Sequence, residues 1–338
     1  MLTLKFGFMM PLIEGWIKYT KLAEKLGFDY LWLSADHTYI DSCSALAYAA
    51  TQTKKIKLAP CANSVYLRHP VYIASAIALI DKISNGRAVA GLCSAGYETT
   101  VKLGIDAKEP LTICKEAIEI IKALWSGKSV NYSGKFFHLK DVKLPYATRF
   151  DIPIYLASRG SKFKLIGELC DGTFTHGKTL KYVKRMIDHI SEGAKKIGRN
   201  PKDIEIGIVL PFMIIHNQKN IEKAKKVLKP LLTAFVGGEW AWEWADTLGF
   251  TMEELKPIRE AIHEHDFIKA QNFVSEELLD RMIDAYCIVG SVEKCISEVE
   301  TLEKQGITQI IPIIQKQWEE PRRFLEFFGK KIIQSFKE

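Results

Sequence analysis

A chain of 338 residues with 47% hydrophobic and 26% charged side chains has ordinary globular composition and is long enough to bury a large core. Its formal net charge of +7 is carried by lysines scattered along helical faces, which argues against nucleic-acid binding but suits a polyanionic small molecule. The seven cysteines show no C-x-x-C spacing and are odd in number, so they imply neither a zinc site nor a disulfide framework, and no apolar run approaches the ~18 residues of a membrane span. Met1 to Phe8 is too short for a signal peptide, and a reducing, cytoplasmic setting is expected.

The predicted elements alternate between strand and helix. Leu4 to Met9 reads as a first strand. Trp16 to Leu26 has helical apolar spacing and stops at Gly27, a C-cap signal. Tyr30 to Leu33 is a short apolar run typical of a buried parallel strand. An Ala-rich helix over 44–51 leads to a third strand at 56–59. Pro70 opens a helix to Ile83, near the first helical position where proline is tolerated. Ala88 to Leu92 is the fourth strand and Leu111 to Trp125 a helix. Val130 to Phe137 reads as a hairpin turning at Ser133-Gly134. The fifth and sixth strands are 154–157 and 172–175, followed by helices at 163–170 and 182–197. Ile204 to Ile215 is a long apolar seventh strand. Residues 218–287 read as a helical insertion, Trp-rich between Gly237 and Phe250. A helix over 292–305 precedes the eighth strand at 309–313, and 324–336 is a closing helix.

Eight strands alternating with helices predict one α/β domain over 1–338, a closed (β/α)8 TIM barrel with the helical insertion before its last strand. The other option, an open doubly wound sheet, needs a glycine-rich phosphate turn after the first strand, and Met9-Met10-Pro11-Leu12 is not one. In such barrels the chemistry sits at the C-terminal strand ends. After strand two come Asp36 and His37, an ionisable pair suited to acid–base work; an Asp capping the next helix, with a surface His, accounts for the spacing equally well. After strand three, Asn63, Ser64 and Val65 are small enough to let a planar ring approach the backbone. After strand four, Cys93, Ser94, Ala95 and Gly96 expose backbone N–H groups suited to phosphate, and Glu98 is a further acid. After strand five, Ser158, Arg159, Gly160 and Ser161 combine hydroxyls with a guanidinium, and His176-Gly177 forms a small polar turn after strand six. The remaining histidines form no ligand cluster, so no metal is expected.

Around these loops lie segments that resemble the bacterial luciferase-like superfamily. They include Leu22 to Trp32, Arg68-His69-Pro70, Leu79-Ile80-Asp81, Ser84-Asn85-Gly86-Arg87, Leu124 to Gly127, Tyr132 to Phe137, Gly167 to Gly172 and Val289-Gly290-Ser291. The resemblance is colinear and spans nearly the whole chain. Within the superfamily the chain is similar to the branch that uses the deazaflavin coenzyme F420, above all to the methylenetetrahydromethanopterin reductases.

The resemblance implies hydride transfer between coenzyme F420 and a carbon acceptor such as a pterin, in a homodimer or homotetramer. An FMN-dependent monooxygenase and a non-catalytic flavin-binding paralogue are the alternatives. It places Asp36 and His37 against the deazaflavin and its substrate, and a non-prolyl cis peptide at Ser64-Val65 behind the ring. Ser94 to Gly96, Ser158 to Ser161 and His176-Gly177 would hold the ribityl-phosphate arm. The reductases carry a Glu at the end of the first strand, where this chain has Phe8-Met9-Met10-Pro11. Any proton the reaction needs is therefore expected from Asp36, His37 or Glu98.

Overall fold

The computed structural model describes residues 3–34, 41–94, 97–146, 149–215, 218–238, 245–315 and 320–337. Eight strands form the frame: β1 Lys5–Met10, β2 Tyr30–Ser34, β3 Lys57–Cys61, β4 Ala90–Cys93, β5 Ile154–Ala157, β6 Gly172–Thr175, β7 Glu205–Ile214 and β8 Gln309–Ile313. Neighbours run parallel in the order β3-β2-β1-β8-β7-β6-β5-β4. The ring closes between β3 and β4. Leu58 accepts from Val89 N–H at 3.0 Å and donates its own N–H to Arg87 O at 2.9 Å, and Asn63–Ser64 then pair with Leu92–Cys93. The expected barrel is the observed one.

Side chains fill the lumen. The indole of Trp32 on β2 reaches across to the rings of Phe174 on β6 and Tyr155 on β5, with centroids 4.6 and 5.3 Å away. It stacks on Tyr30 at 5.8 Å. Glycines leave it room: a Cβ on Gly7 would lie 2.9 Å from the indole, and one on Gly91 would lie 3.3 Å from it and 2.0 Å from Pro60 O.

The N-terminal end of the barrel is closed by a polar knot. Glu205 pairs with Lys5 and accepts from Tyr155 Oη at 2.6 Å and Tyr30 Oη at 3.0 Å, while Lys57 Nζ donates to Tyr30 Oη at 3.0 Å. Burial alone would raise the Glu205 carboxyl, but hydrogen bonds from Lys5 and Tyr155 outweigh it and hold the pKa below the usual carboxylate value. Burial pushes the Tyr30 and Tyr155 phenols up.

Around the barrel run helices α1 Trp16–Lys25, α2 Ser42–Gln52 and α3 Pro70–Ser84, then α4 Tyr97–Lys102, α5 Pro110–Trp125, α6 Phe163–Leu169 and α7 Leu180–Lys196. Gly27 has φ +89°, and Phe28 N–H reaches Ala23 O at 3.1 Å, closing α1 as its glycine suggests. The insertion consists of helices Gln218–Gly237, Met252–His263, Phe267–Asn272 and Glu276–Tyr286, with a 3-10 turn at Ala245–Leu248; residues 239–244 of the Trp-rich stretch lie outside the described residues.

Several elements differ from the sequence reading, among them the short helix α4, which it did not contain. The hairpin pairs Val130–Ser133 with His138–Val142, because Glu116 accepts from the N–H groups of Lys135, Phe136 and Phe137 and holds that segment as the turn. A short strand at Ile288–Gly290 pairs with β7 after the insertion, too brief for any periodic signal. The closing helix begins earlier, at Pro321, and gives way after Phe328 to a π turn over Gly329–Ile333. Among the described residues, no helix is long and apolar enough to cross a membrane, and no group of three or more His, Cys, Asp or Glu is placed to hold a metal ion.

Gly91→Ala forces a Cβ into the Pro60 carbonyl and should cost at least ~1–3 kcal/mol in chemical denaturation. Glu205→Gln tests the knot. Because the folded pKa of Glu205 is lowered, its charged form stabilises the fold above the unfolded carboxylate pKa, and that contribution fades as pH falls through the folded value. The melting-temperature deficit of Glu205→Gln should therefore be largest near neutral pH and shrink below pH ~4.

Candidate active site

One side of the C-terminal mouth is lined with sulfur and apolar groups. Met9 on β1 meets Cys61 on β3 across the intervening β2, with Sδ and Sγ 3.5 Å apart, so both side chains face the lumen. The chain leaves β3 through a non-prolyl cis peptide at Cys61–Ala62. The expected position, Ser64–Val65, is thereby corrected by three residues. The chain changes partner at Ala62, since Cys61 still pairs with β2 while Asn63 already pairs with β4.

Residues after the bend are engaged by the scaffold. Asn63 Nδ2 contacts the Cys43 thiol at 3.4 Å, and Ser64 Oγ accepts from Tyr66 N–H at 3.2 Å. Val65 N–H donates to Cys93 O at 3.0 Å. The Cys93 thiol contacts Ala62 O at 3.8 Å.

Beyond β4 and β5 the mouth carries a buried cation. Lys162, only 7% exposed, points its ammonium at Ser94 Oγ, 3.2 Å away. The Ser158 hydroxyl is buried and has no hydrogen-bond partner among the described residues. Arg159 is half-buried; its charge partly offsets the burial that pushes the Tyr286 phenol up. Gly160, at φ +63°, begins a 3-10 turn that runs into α6. Lys162, Ser94 and Ser158 thus set a buried cation and hydroxyl groups after β4 and β5, a donor set chemically suited to an oxyanion.

Lys162 is the residue that sequence reading missed. In Ser161-Lys162-Phe163-Lys164 it looks like one more helix-surface lysine. The available signal was its distance from the strand: a helix that opens directly at a barrel strand's end sets its first turn over the mouth.

His176 Nδ1 lies 2.9 Å from Val209 O, which requires the proton on Nδ1, and its ring rests 4.3 Å from that of Phe235 in the insertion. The loop after β6 is where the insertion docks. Gly177 has φ +100° beside Leu248. Lys178 N–H donates to Ala285 O at 2.8 Å, and Thr179 Oγ1 donates to Thr247 O at 2.6 Å.

Asp36, His37, Ala95 and Gly96 lie outside the described residues, as do the side chains of Ser161 and of Glu98 on α4. The cap of α2 is Asp41, which accepts from Cys43 N–H at 3.0 Å and pairs with Arg68 at 3.1 Å. The capping role weighed for Asp36 is thus filled by another carboxylate.

The family model described as luciferase-like monooxygenase matches residues 13–309. The chain belongs to this family. Among luciferase-like relatives, the 5,10-methylenetetrahydromethanopterin reductase of Archaeoglobus fulgidus is 30% identical over 324 residues, covering 94% of this chain and 95% of the relative. The F420-dependent glucose-6-phosphate dehydrogenase of Beutenbergia cavernae is 31% identical over 207 residues, covering 57% of this chain and 62% of the relative. The solved coenzyme F420-dependent tetrahydromethanopterin reductase of Methanopyrus kandleri has a TM-score of 0.85 at 28% identity and covers 99% of both chains. An F420-dependent secondary alcohol dehydrogenase shares the fold, with a TM-score of 0.79 at 20% identity over 98% of this chain and 99% of the other.

Replacing Lys162 with Met keeps the length of the side chain and removes its charge. Calorimetry should then show a phosphate-bearing ligand weakened by ~1.5–3 kcal/mol, the scale of a hydrogen bond to a charged group. Replacing the exposed Lys184 in the same way should leave affinity unchanged.

Proposed function

We propose that this luciferase-like barrel is an oxidoreductase that uses coenzyme F420 to transfer a hydride to or from a carbon atom, with a methylenetetrahydromethanopterin-like pterin as its acceptor. What carries the reading is the buried cation and hydroxyls of Lys162, Ser94 and Ser158 at the same barrel mouth as the sulfur-lined wall of Met9 and Cys61. Chain-long likeness to a methylenetetrahydromethanopterin reductase supports it further.

The residues present fit a ring with a phosphorylated arm. Lys162 and Arg159 would meet the phosphate, and the buried Ser158 hydroxyl would gain the partner it lacks. The polypeptide around Cys61–Ala62 would back the ring. When bound, the deazaflavin supplies or accepts the hydride.

The chain's own task is the proton. Opening a methylene bridge to a methyl group breaks one C–N bond, places a hydride on the carbon and leaves a nitrogen that takes up a proton. Met9 cannot provide it. Asp36, His37 and Glu98 are the proposed sources, with His37 and Asp36 as the principal pair. His176, fixed by Val209 O and Phe235, orients the arm of the ligand.

Titration calorimetry with F420 and FMN should show tighter binding of F420; tighter FMN binding replaces the coenzyme. Turnover is then measured with methylenetetrahydromethanopterin, glucose 6-phosphate and a secondary alcohol. Activity confined to either of the last two retains the coenzyme and discards the pterin. His37→Gln and Asp36→Asn should each lower turnover by ~10²-fold or more with little change in melting temperature. Equal losses of stability and activity would make the pair structural.

A further inference from the structure

The cysteines of the chain fall into two groups. Cys43, Cys114, Cys170, Cys287 and Cys295 are buried, and burial pushes each of these thiols up. They behave as small buried hydrophobes. Cys61 and Cys93 are partly exposed, and both stand at the C-terminal ends of barrel strands, β3 and β4. Met9, one residue from the end of β1, is partly exposed as well.

These three side chains border one stretch of the mouth. The Cys61 thiol donates to Met9 Sδ at 3.5 Å. Cys93 follows Gly91 by two residues, and a Cβ on Gly91 would lie 3.3 Å from the Trp32 indole, so strand alternation turns Cys93 into the lumen too. Its thiol lies 3.8 Å from the carbonyl oxygen of Ala62, the residue after Cys61. The mouth thus offers two thiols and a thioether from β1, β3 and β4.

We propose that Met9, Cys61 and Cys93 form a binding site for a soft monovalent metal ion, Cu(I). Ligand type selects the ion. Thiol and thioether are soft donors, and among the described residues no imidazole or carboxylate joins the two thiols to make the mixed sets that zinc takes. Geometry sets the number of donors. With a metal–sulfur bond of about 2.3 Å, the 3.5 Å between Met9 and Cys61 is spanned at an angle of about 100° at the metal, bent enough to leave room for a third sulfur. Cys93 supplies it. Each thiol gives up its proton as its metal–sulfur bond forms, so one Cu(I) replaces two protons while the thioether binds neutral. A further consequence rests on the coenzyme reading above: the ion takes the wall at Cys61–Ala62 that would back the ring, so the two compete.

Anaerobic titration of the reduced chain with chelator-buffered Cu(I) should load one ion per chain. X-ray absorption fine structure of the loaded wild type should show a sulfur shell at about 2.3 Å. Met9→Leu, Cys61→Ser and Cys93→Ser should each weaken Cu(I) by ~10-fold or more at unchanged melting temperature. Met252→Leu, which removes an exposed thioether on the insertion, should leave the affinity as it was. A chain that takes up no Cu(I), a shell dominated by nitrogen or oxygen, tighter binding of Zn(II), or an affinity that survives any one of the three substitutions overturns the proposal. These measurements need no coenzyme. F420 should then lose affinity for the Cu(I)-loaded chain; undiminished F420 binding overturns the competition, whereas failure of F420 to bind the metal-free chain overturns the coenzyme reading alone.

Discussion

Trp32 sits where eight strands converge, and most of the barrel is arranged around it. Its indole touches rings from the far side of the lumen, so the interior is solid and no ligand can pass below it. Room for so large a side chain comes from residues with none, Gly7 and Gly91. The aromatic stack continues down through Tyr30 to the knot of Lys5, Glu205, Tyr155 and Lys57, where each buried charge finds a partner. With one end sealed and the middle filled, chemistry is confined to the other end.

That end is asymmetric. Sulfur and apolar groups lie where β1 and β3 finish, whereas Lys162 and Arg159 follow β5. A ligand with an apolar ring and an anionic arm matches this division; a uniformly polar one does not. The helical insertion adds a third wall by gripping the loop after β6 through Phe235, Leu248 and Ala285. It was written into the chain between β7 and β8 but acts on the opposite side of β7, beside His176.

Many residues that carry the family resemblance build scaffold, and the structure gives each a physical reason. In Ser84-Asn85-Gly86-Arg87, Asn85 and Gly86 take positive φ to end α3. Arg87 then donates to Ala50 O, Thr53 O and Ile56 O at the sealed end of the barrel. Trp125 Nε1 donates to Ala74 O at 3.0 Å, fastening α5 to α3, and the Asp171 carboxylate accepts from Ile154 N–H at 2.9 Å where β5 begins. Such motifs identify the barrel and say little about what enters its mouth.

The sequence by itself determined the order of the eight barrel strands and of most helices, the glycine that ends α1, the proline that opens α3 and the place of the insertion. Those features follow from local rules: period, proline at a helix start, glycine at a helix end, unbroken apolar runs for strands buried on both faces. It also named the loops at the barrel mouth, since connectivity alone puts them there. Only the tertiary structure decided which residues on those loops turn inward. Asn63 and Ser64 are engaged by Cys43 and Tyr66, and Asp41 rather than Asp36 caps α2. Lys162, unremarkable in a lysine-rich chain, became a buried cation because α6 opens directly above Ser94. The Asn63–Cys43 and Lys162–Ser94 contacts join residues 20 and 68 positions apart, and the energy of such a non-local contact leaves no periodic trace in the segment that makes it.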